Sequence, residues 1–343
     1  MEFPHRRTCR IHATVACALA LGLAAAAPAQ GRYQQGNGEF GASGVNVLRI
    51  ESEAKLRVPL EATEAVWTWL VQRYADCSWL DRDGSRFSAV LGDELFEDVY
   101  FDTPALQLLA TDSGIRHRSR IVKSGGAIHK DGRQLVQIKI NRGDSSGLDR
   151  GEIKYTVNPG GRTAEAQHQL LGLVDQDERE DCIQRIAEAG IDPYALRRVL
   201  AVDQVRRRVY LSDQQGAMAT LTLDECSLRE WGVRRNWTEI ELELNEVRYT
   251  EANEAKRAWM KKLVADVQAD LQRAFPAIVQ DQTPKYTKAF RMMESGAVVP
   301  IRPMIERGVK PDAFFAGVFV LVASVLCTGV FFVRRAVLRR RAH

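Results

Sequence analysis

The sequence predicts an α+β fold: an antiparallel β-barrel tunnel of about eight strands with a charged lumen, helices packed outside it, and one C-terminal transmembrane helix. Three observations predict it. Charged and apolar residues alternate in several separate segments of the chain. Gly-, Ser- and Asp-rich stretches of the kind that make turns lie between many of those segments. A long amphipathic helical pattern follows the last of them. Side chains alternate faces along a strand, so Glu51, Glu53, Lys55 and Arg57 share one face while Ala54, Leu56 and Val58 share the other. The same pattern returns in Ile115–Arg120, Gln137–Ile140, Asp149–Lys154, Arg206–Tyr210 and Thr238–Leu244. Charged faces that all look inward make a barrel with a charged interior and an apolar exterior for helices to cover.

Taken in order, residues 30–44 are a Gly/Gln-rich lead-in of disordered composition. The first strand is expected over Val45–Val58 and a helix over Glu61–Tyr74, where Val66, Leu70 and Val71 are apolar and Trp67 and Trp69 add bulk. Ser78–Gly92 reads as a loop. Strands follow near Glu97–Asp102, Gly114–Val122, Gln134–Asn141 and Asp149–Val157. Arg162–Leu200 reads as a helical insertion, with surface helices over Asp177–Ala189 and Asp192–Val199. Strands resume at Gln204–Leu211, Met218–Asp224 and Trp237–Tyr249, with a hairpin turn at Asp213–Gly216. Glu251–Phe275 then carries Trp259, Leu263, Val267 and Leu271 at four-residue spacing, the signature of an amphipathic helix. Closure would make the first and last strands neighbours.

The 343 residues carry 48 Lys+Arg against 44 Asp+Glu, a net charge of +4 that hides the local crowding of arginines. Of the six cysteines, Cys77, Cys182 and Cys226 lie in the central region, with no C-x-x-C and no histidine at zinc spacing; whether any two pair is open. There is no Walker A lysine motif, no Ser/His/Asp order and no nucleic-acid-binding module.

Glu51-Ser52-Glu53-Ala54-Lys55 is an E-x-E-x-K motif that resembles the opening strand of CYTH domains, the triphosphate tunnel metalloenzymes. The resemblance continues in order through Tyr100–Pro104, Arg116-x-Arg118, Lys139, Arg150-x-Glu152, Arg206–Arg208, Asp224 and Glu239-x-Glu241, and covers roughly 45–250. It implies a barrel that encloses a polyphosphate chain. Arg and Lys suit phosphate oxygens, and the candidates are Lys55, Arg57, Arg116, Arg118, Lys139, Arg150, Arg206 and Arg208. Glu51, Glu53, Glu239 and Glu241 are the implied ligands for Mg²⁺ or Mn²⁺, which favour hard oxygen donors. Glu53, Glu241 and Lys55 are the candidate catalytic residues, with Glu152, Asp224 and Glu243 as further ligands or water-orienting groups. Lys154 stands where many members carry a second acid, which favours an anionic ligand.

Past the long helix, Pro284-Lys285-Tyr286-Thr287-Lys288 is similar to the P-K-[FY]-S-K segment of VTC domains, the polyphosphate-polymerase branch of the same fold, where the first lysine reaches the tunnel; that role carries to Lys285. The alternative is a basic segment drawn to membrane lipid headgroups. Three functions follow from the resemblance: a hydrolase of inorganic triphosphate or polyphosphate, a polymerase using a nucleoside triphosphate, and a non-catalytic polyphosphate receptor. No nucleic acid is expected as a partner.

The chain ends carry signals of their own. Arg6, Arg7 and Arg10 precede the apolar run Ala13–Ala26 and an A-x-A site at Ala27-Pro28-Ala29, the pattern of a cleaved secretory leader over 1–29. The domain is expected over 45–290 and a linker over 291–312. Residues 313–333 hold no charge and are followed by Arg334, Arg335, Arg339, Arg340 and Arg341, the pattern of a transmembrane helix with a cytoplasmic tail, 334–343. The expectation is a single-pass membrane protein with its domain on the extracytoplasmic side.

Overall fold

The computed structural model describes residues 48–75, 79–80, 86–124, 127–141, 149–157, 169–213 and 216–309. Eight long strands form its centre: β1 (Arg49–Val58), β2 (Arg86–Asp102), β3 (Gly114–Ser124), β4 (Ala127–Asn141), β5 (Asp149–Thr156), β6 (Arg197–Asp213), β7 (Gly216–Glu230) and β8 (Val233–Leu244). All pair antiparallel, in the order β1-β5-β4-β3-β2-β6-β7-β8. β8 then pairs back onto β1, with Glu53 opposite Glu243 and Lys55 opposite Glu241. The sheet is therefore a closed barrel, and the outer strands of the sequence are neighbours in it. Short strands at Trp79–Leu80 and Val279–Gln280 pair with β2 and β1.

Alternation decides which residues look inward. On β1 the exterior side chains Ala54, Leu56 and Val58 pack with Val209, Leu221, Leu223, Ile240 and Leu242 under two helices, α1 (Thr63–Leu70) and the long helix Glu254–Ala274. The long helix buries Met260, Leu263, Val267 and Leu271, one stripe of its surface, and Trp259 packs partly buried beside it. A second flank, with Phe101, Ile115, Val136, Ile138 and Ile153, is covered by α2 (Gln107–Ala110), α3 (Leu170–Leu173) and α4 (Arg179–Glu188).

The third cluster differs in kind. Tyr100, Leu200, Val202, Cys226, Leu228 and Trp237 have the same strand parity as Asp98, Gln204, Asp224 and Glu239, so they line the lumen. At this end the interior turns apolar and accepts a helix. Numbering the remaining helices α5 (Glu246–Glu251), α6 (Glu254–Ala274), α7 (Lys285–Gly296) and α8 (Ile301–Glu306), α7 buries Tyr286, Ala289, Phe290 and Met293 here and α8 adds Ile301 and Ile305. Tyr286 stacks on Tyr100 with centroids 5.2 Å apart and donates its hydroxyl to Asp102 at 3.0 Å. The packed structure thus runs past residue 290, where a linker was expected.

Other expectations need correction. Asp192–Val199 is not a helix. Gly190, at φ 76°, ends α4, Pro193 disfavours helical backbone at Asp192, Asp192 accepts from the Tyr194 amide at 2.9 Å, and β6 begins at Arg197. Part of the expected Ser78–Gly92 loop is strand, because β2 starts at Arg86. The last barrel strand stops at Leu244, where Asn245 caps α5 by accepting from the Arg248 amide at 3.0 Å. Cys182 and Cys226 are free and buried in different clusters. The single-pass membrane assignment, with its extracytoplasmic domain, is withdrawn: among the described residues no helix is long and apolar enough to cross a membrane. The segments on which it rested, 1–29, 313–333 and 334–343, lie outside the described residues, as do the lead-in 30–44 and Cys77.

Candidate active site

The lumen is filled with paired charges. On one wall Asp224 of β7 and Glu239 and Glu241 of β8 offer carboxylate oxygens that all lie within 4.8 Å of one another. All three residues are buried. Lys285, at the first turn of α7, reaches into this group: its Nζ is 2.7 Å from Asp224 Oδ2, 3.0 Å from Glu239 Oε1 and 3.4 Å from Glu241 Oε1. It also donates to Gln204 at 3.0 Å. Arg206 forks onto Asp224 at 2.7 and 2.6 Å and reaches Glu241 as well. The far oxygen of Glu239 accepts from Lys288 at 2.7 Å and from the Trp237 indole at 3.1 Å; Lys288 also pairs with Asp281 at 3.0 Å.

Burial opposes the charge on these acids, but Lys285, Arg206 and Lys55 hold Glu241 well below the usual carboxylate range. Lys285 and Lys288 lower Glu239 in the same way against the cost of its burial. Burial works against the Lys285 ammonium too, yet Asp224 and Glu241 raise it well above an ordinary lysine. For Glu239, Glu241 and Lys285 the partners thus favour the charged forms.

A second acidic wall is formed by β1 and β5. Glu51 is clamped by Lys139 at 2.5 and 2.7 Å. Lys55 pairs with Glu53 at 2.7 Å and lies 3.6 Å from Glu241, bridging the two walls. Glu152 meets Lys154 at 2.8 Å and Lys139 at 3.5 Å. Burial, then the Glu53 charge, raises Glu51 above its ordinary value although Lys139 opposes them. The four sequence-derived ligands thus divide into two pairs. Glu239 and Glu241 join Asp224, while Glu51 and Glu53 face Lys139 and Lys55.

The arginines divide as well. Arg116 and Arg118 both hold Asp98, which is fully buried: Arg116 at 2.9 Å, Arg118 through two bonds of 2.7 and 2.8 Å. Arg118 is itself fully buried and lies 4.5 Å over the Phe96 ring. Arg208 pairs with Glu94 at 2.9 Å. Arg150 is buried and donates to the Gln282 carbonyl at 3.2 Å. A small recess, in part open to solvent, remains between α7 and the barrel wall, and Lys55, Arg116, Lys139, Arg150, Glu241 and Lys285 line it. Arg57 is exposed and does not line the recess.

Asp98, Glu94 and Lys288 escaped the sequence reading. Glu94, Phe96, Asp98, Tyr100 and Asp102 occupy alternate positions of β2, so extending that strand upstream of Glu97 would have shown the inward acids. Lys288 lay in view inside the P-K-Y-T-K segment; the helical spacing of three that places it beside Lys285 was the unused signal.

Asp224, Glu239 and Glu241 supply hard oxygens, close together and partly balanced by lysine, and this donor set fits a small divalent cation. The closed barrel thus joins such a carboxylate group to a cation-lined recess in its lumen. A family model described as the CYTH domain matches residues 81–274, more than half of the chain, and the chain belongs to that family. The matched span starts downstream of β1, yet the barrel closes through β1 and its E-x-E-x-K motif. No curated protein matches the sequence. Among solved structures, HpAC1 from Hippeastrum, described as having a dominant triphosphatase activity, is similar at 19% identity, a TM-score of 0.43, and coverage of 73% of this chain and 98% of its own. An adenylate cyclase candidate from Bacillus halodurans gives 17%, 0.41, 71% and 98%. The Pct1 RNA triphosphatase of S. pombe gives 11%, 0.30, 73% and 84%.

Proposed function

We propose that the chain is a metal-dependent phosphoanhydride hydrolase acting on inorganic triphosphate or polyphosphate. The observation that carries this reading is the recess where Lys55, Arg116, Lys139, Arg150 and Lys285 converge beside buried carboxylates. A triphosphate carries several negative charges, and neutralising it takes that many basic groups. Acids beside a polyanion are unfavourable unless a cation screens them, so their presence supports catalysis over simple capture.

In this reading Lys55, Arg116, Lys139 and Arg150 bind and align the phosphate chain, with Arg206, Arg208 and Lys285 completing the basic surround and Arg57 adding exposed positive charge. Asp224, Glu239 and Glu241 would hold Mg²⁺ or Mn²⁺, with Glu51 and Glu53 facing the same substrate from the other wall. A bound cation supplies positive charge against the phosphoryl oxygens as the bond breaks. Water attacks the terminal phosphorus, the bond to the bridging oxygen breaks, and its electron pair leaves with the shortened chain, whose charge Lys55 and Arg116 stabilise. The water proton passes to a lumen carboxylate, for which Glu53 is the candidate, or to the leaving phosphate.

A second reading, polymerisation from a nucleoside triphosphate, is favoured by one observation: Lys285 of the P-K-Y-T-K segment lines the recess. The full chain incubated with triphosphate, long polyphosphate or ATP, each with Mg²⁺ or Mn²⁺, separates these. Released phosphate with shortening chains supports hydrolysis, and lengthening chains support transfer. Tight binding without either product would make the protein a receptor.

A further inference from the structure

The ammonium of Lys285 stands where a metal ion would stand. It lies within 3.4 Å of Asp224, Glu239 and Glu241, the three residues whose oxygens converge. The local charges already nearly balance. Asp224, Glu239, Glu241 and Asp281 face Arg206, Lys285 and Lys288, while Lys55 near Glu241 is matched by Glu53, so a divalent cation added beside all three bases would turn the group positive. One base has to go, and the three are not equal. Arg206 is locked by a two-pronged bond to Asp224. Lys288 sits at the outer oxygen of Glu239 and is shared with Asp281. Lys285 alone contacts all three carboxylates, and it also lines the recess with Lys55, Arg116, Lys139 and Arg150. Its flexible stem lets the ammonium move from one to the other while Tyr286, Ala289 and Phe290 keep α7 seated.

We propose that Lys285 is a tethered counter-ion that competes with the divalent cation for the Asp224–Glu239–Glu241 group and, once displaced, turns its charge to the phosphate chain in the recess. This rests on the metal site of the proposed function. It adds that the group is closed by the protein's own cation until metal arrives, so that metal loading and the placement of a basic group on substrate are one event. A site occupied by a competitor shows an affinity reduced by the fraction of molecules in which it is vacant. Removing the competitor must therefore strengthen metal binding, whereas a replacement that keeps a cation in the site must not.

The test is Mn²⁺ binding to the full chain without any phosphate compound, followed by electron paramagnetic resonance of free Mn²⁺. Lys285→Gln keeps a hydrogen-bonding group near Gln204 and removes the charge; it should bind Mn²⁺ about tenfold or more tightly than the wild type. Lys285→Arg keeps a cation in place and should show no such gain. Glu239→Gln should bind more weakly than the wild type. Unchanged or weaker Mn²⁺ binding by Lys285→Gln, while wild type binds and loses binding on Glu239→Gln, overturns the competition and leaves the metal site standing. Absence of Mn²⁺ binding in wild type and Lys285→Gln alike overturns both. Because a lysine variant can fail to fold, a second measurement uses the wild type alone: reductive methylation of Lys285, read by mass spectrometry, should quicken when Mn²⁺ is added, and an unchanged rate counts against displacement.

Discussion

Arg118 has no surface in contact with water, and Asp98 takes two of its hydrogen bonds. A guanidinium so held serves the barrel before it serves a ligand. Replacing it by alanine leaves a buried carboxylate short of a partner, and breaking a buried pair costs about 3–5 kcal/mol. Arg118→Ala is therefore expected to lower the midpoint of thermal or urea unfolding sharply, with substrate affinity of the surviving folded fraction changed less. Arg150→Ala is the opposite case. Arg150 lines the recess and donates to a single carbonyl, so its loss should weaken triphosphate binding by about 1.5–3 kcal/mol in a calorimetric titration and leave the unfolding midpoint nearly unchanged. Equal effects of the two variants on binding would refute this division. Glu246 gives a pH prediction. Burial, with the nearby Glu152 charge and against the pull of Lys154, pushes its carboxyl up to about 8 from 4.5. The folded chain thus holds a proton that the unfolded chain releases at lower pH, so this contribution to stability is complete below about 4.5 and is lost as pH rises through about 8. Glu246→Gln should flatten the fall in stability over that range; the check is urea unfolding at several pH values.

At the scale of the element, helix α6 shows how an amphipathic stripe fixes a barrel. Leu271 is fully buried in the cluster formed with β1, β6, β7 and β8. Leu271→Ala should cost about 2–5 kcal/mol in denaturant unfolding, while turnover per folded molecule stays as it was, because the stripe faces the barrel's exterior. Loss of turnover at full stability would mean that α6 shapes the lumen. This helix was legible in the sequence, since its stripe recurs from Met260 to Leu271 within a helix of 21 residues and a long pattern averages out local exceptions. The strands were legible for the same reason: alternation runs through each of them, and Glu51 to Lys55 or Glu239 to Glu241 showed which face was charged. What escaped were places where a short-range rule competes with a pattern. Around Asp192 one proline and one asparaginyl-type turn outweighed helical spacing. Upstream of Glu97 the Gly and Asp content suggested a loop, yet pairing with β6 along Ser88–Leu95 makes it strand. Pairing between distant segments leaves no local mark. The candidate site was legible as a set of inward charges; its partition into Asp98 with its arginines, Glu51 with Lys139, and Asp224 with Lys285 was not, because alternation gives a side chain's face and says nothing of its partner across the lumen.

Across the whole molecule the barrel interior is held by buried ion pairs, and such pairs are a weak source of net stability because each ion gives up its hydration. A ligand that satisfies the same bases with more negative charge should therefore stabilise the fold by mass action. For a ligand at a hundred times its dissociation constant the gain is about 2.7 kcal/mol, visible as a raised unfolding temperature. The acids make that gain conditional. On the proposed function triphosphate alone would meet Lys55, Arg116, Lys139 and Arg150, but it would also meet Glu241 in the same recess, and the repulsion would subtract from the attraction. On the proposed metal site a divalent cation alone would meet Asp224, Glu239 and Glu241 but would have to displace Lys285. Supplied together, each removes the obstacle to the other, so the rise in unfolding temperature with triphosphate and Mg²⁺ should exceed the sum of the two separate rises. Added potassium chloride should reduce the apparent affinity by screening exposed charges such as Arg57 more than it disturbs the buried pairs. The measurement is a thermal-shift series with four arms: no ligand, triphosphate, Mg²⁺, and both. The comparison is repeated with Arg150→Ala, for which more triphosphate should be needed to reach the same shift. Four superimposable unfolding curves would show that the lumen charges serve the fold alone.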